Sequence, residues 1–516
     1  MNLSRMVRKK HVTLKRGIRS FIFCIWFNAG GTADFIRKNN PSRNTLYSGT
    51  FFVQNEPDYP EYMKPMKAYG GKIMELITGV RQKETLELSE LLKAEMEGQK
   101  IVTNGAVHAV RDMGNVAFII LRKREGLVQC VYEKENSNVE LSDIREGCTA
   151  EVTGRLTKAS KAPNGIEIRM EEMKILSRPT EPMPLQISKW KLNTSLEAKL
   201  NYRSVSLRNV RERAKFKLQE GIVRGFREFL YSQGFTEIHT PKIGAKGAEG
   251  GSNLFRLDYF HRPAVLEQSP QFYKQMMVGV FDRVFETAPV FRAEKHNTKR
   301  HLNEYTSLDF EMGYIDGYED IMAMETGFLT YTMELLARDY AKELQILEIA
   351  LPEIKGIPAM RFDELKEKVS LKYDRRSKTP YDLEPEEEEL IGQYVKEEYG
   401  SDFIFVTHYP SKKRPFYAMD DPKDHKFTLS FDLLFKGMEI TTGGQRIHDY
   451  QMLTEKIKAR GMTEEGMDAY LDAFKHGMPP HGGLGIGLER LTMKLCGEEN
   501  VRETTLFPRD MGRLEP

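Results

Sequence analysis

The chain has 516 residues, of which 40% are hydrophobic and 29% charged, and its formal net charge is +2. That composition excludes a collagen-like, low-complexity or wholly disordered chain, and the near balance of charge singles out no polyanionic partner. Four cysteines, Cys24, Cys130, Cys148 and Cys496, lie far apart with no CxxC or Cys/His pairing, which argues against disulfides and a zinc site and suits a reducing cytoplasm.

Residues 1–71 differ from the rest. The first 50 hold ten Lys/Arg against one Asp, around the apolar run Phe21-Ile-Phe-Cys-Ile-Trp-Phe27. Such a run is too short to span a bilayer, so no membrane association is expected. Two readings stand: a basic, disordered extension, or residues upstream of the true start, with Met66 or Met74 as initiator. The second is favoured because organised sequence begins near Lys72.

Residues 72–178 open with a predicted helix from Thr85 to Glu97. Five short strand-like segments follow, IVTNGAVHAV, VAFIILRK, LVQCVYE, CTAEVTGRLTKA and GIEIRMEEMKIL, with Gly or Asn in most of the gaps. The spacing fits an OB-type β-barrel, or equally a generic small β domain. Residues 179–205 read as a linker, announced by the proline-bearing Ser177-Arg-Pro-Thr-Glu-Pro-Met-Pro184. A long amphipathic helix begins near Asn209, with Leu218, Ile222, Phe226, Phe229 and Leu230 on one stripe. Gly234 ends it, and Phe235 to Pro241 reads as a strand closed by proline. Helices and antiparallel-looking strands then alternate, so residues 206–516 are expected to form an α+β domain. The acidic run Glu384–Glu389 reads as the solvated face of an inserted helix.

Four stretches carry chemistry. In Phe291-Arg-Ala-Glu-Lys-His-Asn-Thr-Lys-Arg-His-Leu-Asn-Glu-Tyr305, Arg292 and Glu294 share a face of an extended strand, and a basic loop follows. Alone this is as readily a solvated hairpin tip as a site for a polyanion that also offers hydrogen bonds, as ATP does. The others are Glu267-Gln-Ser-Pro-Gln-Phe-Tyr-Lys274, preceded by the small-residue loop Ala245–Gly251; Ser430 to Arg446; and Gly482-Gly-Leu-Gly-Ile-Gly-Leu-Glu-Arg-Leu491. The last puts glycines where a backbone can approach a ligand, and carries Arg490 near a helix N-terminus. Asp432 and Glu439 stand an odd interval apart, so a uniform strand would send them to opposite faces; a bulge or turn near Gly437 would bring them together.

Taken together and in this order, these stretches resemble the class II aminoacyl-tRNA synthetases of the aspartyl type, in their archaeal-like form. The resemblance runs from about Met74 to Pro516. It implies an N-terminal OB-fold barrel that reads an anticodon, and a catalytic domain with an antiparallel sheet flanked by helices. It further implies ATP, L-aspartate, tRNA(Asp) and Mg²⁺ as substrates and cofactor, a homodimer, and a cytoplasmic setting. Arg292 and Glu439 take the catalytic roles. Ala293, Glu294, Arg300, His301, Leu302, Tyr305, Gly487, Leu488, Glu489 and Arg490 complete the ATP site with them. Asp432, Glu439 and Thr442 would hold Mg²⁺, a surface carboxylate pair being the plain alternative. Glu249, Gln268, Ser269, Pro270, Gln271, Lys274, Arg292, Thr442 and Arg446 would surround aspartate. A buried pair of cations, Lys274 and Arg446, suits an anionic side chain and leaves a neutral amide poorly matched. In the barrel Arg111, Phe118, Gln129 and Glu167 match anticodon-reading positions, although Phe118 without the resemblance reads as core.

Departures from the family pattern are informative. Tyr305 stands where Phe is frequent, and Thr442 where Ser is usual. His108 replaces a Trp found in relatives strict for tRNA(Asp), and Pro163 also matches the relaxed form, so charging of both tRNA(Asp) and tRNA(Asn) is expected. The competing readings are an asparaginyl enzyme, disfavoured by the cations, and a silent RNA-binding paralogue, disfavoured by retention of Arg292, Glu439 and Arg490. A metabolic amide-forming ligase would need no anticodon barrel.

Overall fold

The computed structural model describes residues 79–247, 253–296, 298–375 and 377–515, with three strands before them. Residues 1–82 form one unit and residues 83–516 another. In the first, Phe23–Phe27, Ala33–Arg37 and Leu46–Gly49 pair antiparallel in that order. Met66 and Met74 lie outside the described residues, as does Glu249.

The barrel has five strands: β1 (Lys100–Asp112), β2 (Val116–Arg122), β3 (Leu127–Glu133), β4 (Thr149–Lys158) and β5 (Ile166–Ser177). They close in the order β1-β2-β3-β5-β4, the OB arrangement, with a parallel β3–β5 pair. Alternation sends Val107, Ile119, Cys130, Val152 and Ile168 inward. The predicted helix over 85–97 is shorter, an α-helix at Leu88–Leu91 and a turn at Ala94–Met96. Leu88 and Leu91 plug the barrel core, whereas Leu92 in the next turn is exposed, so burial rewards only one turn.

Residues 179–205 are tied down. Arg203, fully buried, donates to the carbonyls of Thr505 and Leu506 near the C-terminus. The long helix α1 (Val210–Ser232) starts where Asn209 accepts from the amides of Arg211 and Glu212, and its stripe Leu218, Ile222, Phe226 and Leu230 enters the main core. Beyond Gly234 the expected strand shrinks to β6 (Thr236–Glu237), which runs parallel to β7 (Arg283–Phe291). Before β7 comes helix α2 (Gln271–Phe281), and after it β8 (Glu304–Gly313) and helix α3 (Tyr318–Asp339). Strands β9 (Ala359–Arg361), β10 (Phe403–Thr407), β11 (Ser430–Phe435), β12 (Glu439–Gln445) and β13 (His481–Gly487) complete an eight-stranded sheet, ordered β9-β10-β11-β12-β13-β8-β7-β6. Its pairs are antiparallel except at the two ends. Helices α4 (Phe362–Lys372) and α5 (Pro385–Tyr399) lie between β9 and β10 and build a core of their own around Phe362, Ile391 and Val406. The acidic run at the start of α5 is not wholly solvated, as its composition suggests, because Glu387 and Glu388 are buried against partners. Helix α6 (Leu488–Cys496) follows β13 directly.

Candidate active site

The centre of the sheet carries two cavities of about 240 and 230 Å³. They share Arg292, Tyr305, Thr442, Gly485 and Gly487 as lining, so the two form one cleft with a common wall. The first also takes Glu294, Arg300, His301, Glu439, Glu489 and Arg490. The second takes Gln268, Ser269, Gln271, Lys274, Arg414 and Arg446, and counting Arg292 and Lys413 it is lined by five cationic side chains against one carboxylate, Asp309.

In the first cavity the ion pairs between lining side chains are long, with Arg490 and Glu439 3.6 Å apart. Arg292 lies 4.0 Å from Glu294, and its guanidinium sits 5.5 Å from the centre of the Tyr305 ring. His301 is also 4.0 Å from Glu294, and burial together with Arg490 lowers its imidazole. Arg490 donates to the carbonyls of Arg300 and Glu439, each at 3.2 Å. The loop base is clipped by Asn303, whose amide donates to the carbonyls of Arg292 at 2.7 Å and Glu294 at 3.0 Å. Ala293 is held by its amide on the Asn253 carbonyl. One expected ATP-site side chain faces elsewhere, Leu488, which packs in the main core, whereas Leu302 lines the cavity from a small cluster with Met438, Met493 and Val501. Glu489 accepts from the Thr306 amide, and burial pushes its carboxyl up to about 7.

In the second cavity contacts are tight. Lys274 reaches Asp309 at 2.9 Å, the Leu484 carbonyl at 2.9 Å and Glu311 at 3.4 Å. Arg446 donates to Glu311 at 2.9 Å and to the Gly483 carbonyl at 2.8 Å. The two cations therefore converge, as the resemblance implies, but they are not a bare pair, since two buried carboxylates accompany them. Arg446, then Lys274, hold Glu311 below the usual carboxylate range in spite of its burial. The β13 glycines make room for this network. A Cβ on Gly483 would meet the Glu311 carboxylate and the Phe310 carbonyl at 2.2 Å, so their smallness serves the neighbouring strand as well as a ligand. Behind it His481 accepts from the Gln275 amide through Nε2 and donates from Nδ1 to the Pro479 carbonyl; burial keeps it neutral, down at about 4. Pro270 precedes the first turn of α2, and the buried amide nitrogen of Gln271 meets no acceptor, a donor left for a ligand.

Asp432 and Glu439 are brought together as a bulge requires. Asp432 pairs with Thr442 and Leu433 with Thr441, but Leu434 pairs with Glu439, so Ile440 is the extra residue. Lys436 and Gly437 turn the hairpin with φ of 47° and 70°. Thr442 Oγ1 donates to Glu439 at 3.4 Å, while Asp432 pairs with Arg414 at 2.7 Å. Burial pushes Asp432 up to about 6 against the pull of Arg414, and the nearby Glu439 adds to the rise. Two carboxylates and a hydroxyl suit a hard cation. Among the described residues no cluster of three or more His, Cys, Asp or Glu side chains could hold a metal ion.

On the barrel, register places Arg111 opposite Phe118 and Gln129 opposite Glu167, on the outer face of four neighbouring strands. The Gln129 amide donates to Glu167 at 3.0 Å. His108 lies in the bulge of β1, 4% exposed, and burial with Arg122 and Arg213 lowers it to about 4. Arg213 belongs to α1 and donates to the Lys123 carbonyl of the barrel, so His108 lies beside the junction between the domains. Pro163 opens the turn Pro163–Gly165, where Asn164 takes a left-handed φ of 59° and donates to the Leu127 carbonyl.

The fold and the cleft are those of a ligase-type catalytic domain carrying an OB barrel. Residues 195–511 match the model for class II tRNA synthetases (D, K and N), and residues 101–176 match that for an OB-fold nucleic acid binding domain. The chain belongs to the class II tRNA synthetases of the D, K and N group. It is 47% identical to the aspartate–tRNA(Asp/Asn) ligase of Deinococcus radiodurans over 81% of this chain and 96% of that one. It is 41% identical to the aspartate–tRNA(Asp) ligase of Pyrococcus furiosus, over 83% and 99%. Among solved structures, asparaginyl-tRNA synthetase from Pyrococcus horikoshii complexed with asparaginyl-adenylate superposes with a TM-score of 0.77 at 29% identity, covering 84% of this chain and all of that one.

Proposed function

We propose that this enzyme attaches L-aspartate to tRNA(Asp) and tRNA(Asn) through an aspartyl-adenylate. The observation that carries the reading is the shared wall: Arg292 borders both cavities, where the α-phosphate of ATP and the α-carboxylate of the amino acid must meet. The carboxylate oxygen attacks the α-phosphorus in line and pyrophosphate leaves; the terminal ribose hydroxyl of the tRNA then attacks the acyl carbon, and AMP leaves as the aminoacyl ester forms. Arg292 neutralises charge on both reacting groups, a role suited to a planar fork of donors. Tyr305 and Arg490 flank adenine and Glu294 accepts from its amino group. Arg300 and His301 face the outer phosphates. Asp432, Glu439 and Thr442 would hold Mg²⁺, which supplies charge neutralisation along the phosphates. Lys274 and Arg446 take the side-chain carboxylate, Gln271 helps to orient the substrate, and Glu249 binds its ammonium.

The asparaginyl alternative draws on the superposition with that structure, but the excess of cations in the second cavity favours an anionic side chain. Pyrophosphate exchange driven by aspartate and not by asparagine is the expected result, and the reverse would transfer the enzyme to the other amino acid. For tRNA range, the aspartate–tRNA(Asp/Asn) relatives support relaxed charging, with His108 acting through the domain junction. Aspartylation of both transcripts at comparable kcat/KM is expected; a preference of about a hundredfold for tRNA(Asp), about 2.7 kcal/mol, would defeat it. We place the enzyme in the cytoplasm as a homodimer. Among the described residues no helix is long and apolar enough to cross a membrane, and Phe216, Val223 and Leu506 line an apolar groove along α1 that suits a second copy. Sedimentation as a stable monomer would remove the dimer.

A further inference from the structure

The acidic start of α5 does more than open a helix. Glu384 and Glu387 form a reciprocal capping box, and Glu387 also takes the Lys366 ammonium at 3.1 Å. Glu388 does neither. Its Oε2 accepts from Arg300 Nη2 at 2.8 Å and from the backbone amide of Glu439 at 3.0 Å. The same Nη2 donates to the Gly437 carbonyl at 3.3 Å. Among the described residues, the hydrogen bonds of the Arg300 side chain all run through that one nitrogen, and Arg300 lines the first cavity. Its Nε and Nη1 are thereby left for a ligand.

The contact between α5 and the hairpin turn is close. A Cβ on Gly392 would stand 2.5 Å from the Gly437 nitrogen, and one on Gly437 would stand 2.9 Å from the Glu388 carbonyl. Gly437 also has φ of 70°, so the turn has neither the space nor the backbone freedom for another residue. An inserted helix, attached to the sheet between β9 and β10, is thus pressed onto the turn that joins the two carboxylate-bearing strands. Burying a carboxylate within reach of a second one is costly unless its bonds are needed.

We propose that Glu388 is a positioning residue for ATP: one carboxylate sets the Arg300 guanidinium at the triphosphate end of the cavity and fixes the backbone at Glu439. The inference rests on ATP occupying the first cavity. The geometry is of the preorganising kind, in which the supporting group never touches the substrate and its removal loosens a group that does.

The test is steady-state pyrophosphate exchange with the full chain. Glu388→Ala raises KM for ATP about tenfold, the scale of one charge-assisted hydrogen bond, while KM for aspartate and kcat stay within about twofold. Glu388→Gln keeps an acceptor oxygen and stays within about threefold of the wild type. On an Arg300→Ala background, Glu388→Ala adds less than about twofold, because the two lesions share one interaction. An unchanged or lowered KM for ATP overturns the proposal. So does a fall of kcat and melting temperature with both KM values raised alike, which would make Glu388 a prop for α5. A wild-type enzyme without aspartate-dependent exchange would instead unseat the assignment of the cleft.

Discussion

In the second cavity Lys274 and Arg446 are buried and already bonded to carboxylates and carbonyls, whereas in the first the cations lie further from the carboxylates that line it with them. Lys274 is 2% exposed and 2.9 Å from Asp309; Arg292 is 39% exposed and 4.0 Å from Glu294. On the proposed function each half has a different task. A pocket that separates aspartate from asparagine needs its cations fixed before the ligand arrives, since discrimination comes from groups that cannot relax around the wrong one. A pocket for a triphosphate gains from cations kept apart from competing carboxylates, because much of its binding is made as charge develops in the reaction.

Removing the Lys274 ammonium tests the contrast most severely. Lys274→Met leaves Asp309 and Glu311 buried with one partner fewer, and breaking such a pair costs about 3–5 kcal/mol of stability. Denaturant unfolding should show that loss together with the disappearance of aspartate-dependent exchange. Full stability in the variant would mean the network is not an ionic unit. Arg292→Ala should do the opposite. Transition-state stabilisation falls by about 3–4 kcal/mol, read as kcat/KM for exchange, while stability changes by about 0.5 kcal/mol or less. If Arg292→Ala unfolds the protein, the first cavity is as rigid as the second.

Much of this was legible in the sequence because the motifs sit on regular elements. The hairpin of β7 and β8, the stripe of α1 and the β13-to-α6 turn each follow a fixed period. The countercharges Asp309 and Glu311 carried a signal that went unread: they alternate with Leu308 and Phe310 on β8, so the face opposite the core had to hold acids. Arg414 gave no such signal, since it precedes Pro415 in irregular chain and reaches Asp432 only through tertiary folding. Glu388 was hidden by its neighbours, because in a run of acids composition cannot say which one turns inward. The burial of His108 gave no signal either, because the bulge at its position breaks the alternation from which a face would be read.

A pH series sharpens the comparison at a smaller scale. His481, behind Glu311 and Arg446, is kept neutral by burial at about 4, below its ordinary 6.5. The unfolded chain therefore takes up a proton first as pH falls, and the stability His481 contributes is complete above pH 6.5 and lost towards pH 4. The full loss is about 3 kcal/mol, of which about 2 falls between pH 6.5 and 5. Substituting His481→Asn, which keeps a donor and an acceptor, should flatten that segment of the unfolding-midpoint curve. A wild type equally stable at both pH values would show that the imidazole is protonated in the fold.

The smallest effect separates the barrel from the cleft. Phe118 is partly exposed and stands opposite Arg111 on the outer face, on the strand that pairs with that of Gln129. A stacked RNA base on such a ring is worth about 1–3 kcal/mol, so Phe118→Ala should raise KM for tRNA by about ten- to a hundredfold. Amino acid activation does not involve the barrel, and pyrophosphate exchange should be unchanged. The inward-facing neighbours Ala117 and Ile119 already fill the barrel, so truncation leaves no internal cavity and the melting temperature should hold. A fall of several degrees with tRNA affinity intact would mean that the ring packs against protein, and the anticodon would then have to be read without a stacking platform on β2.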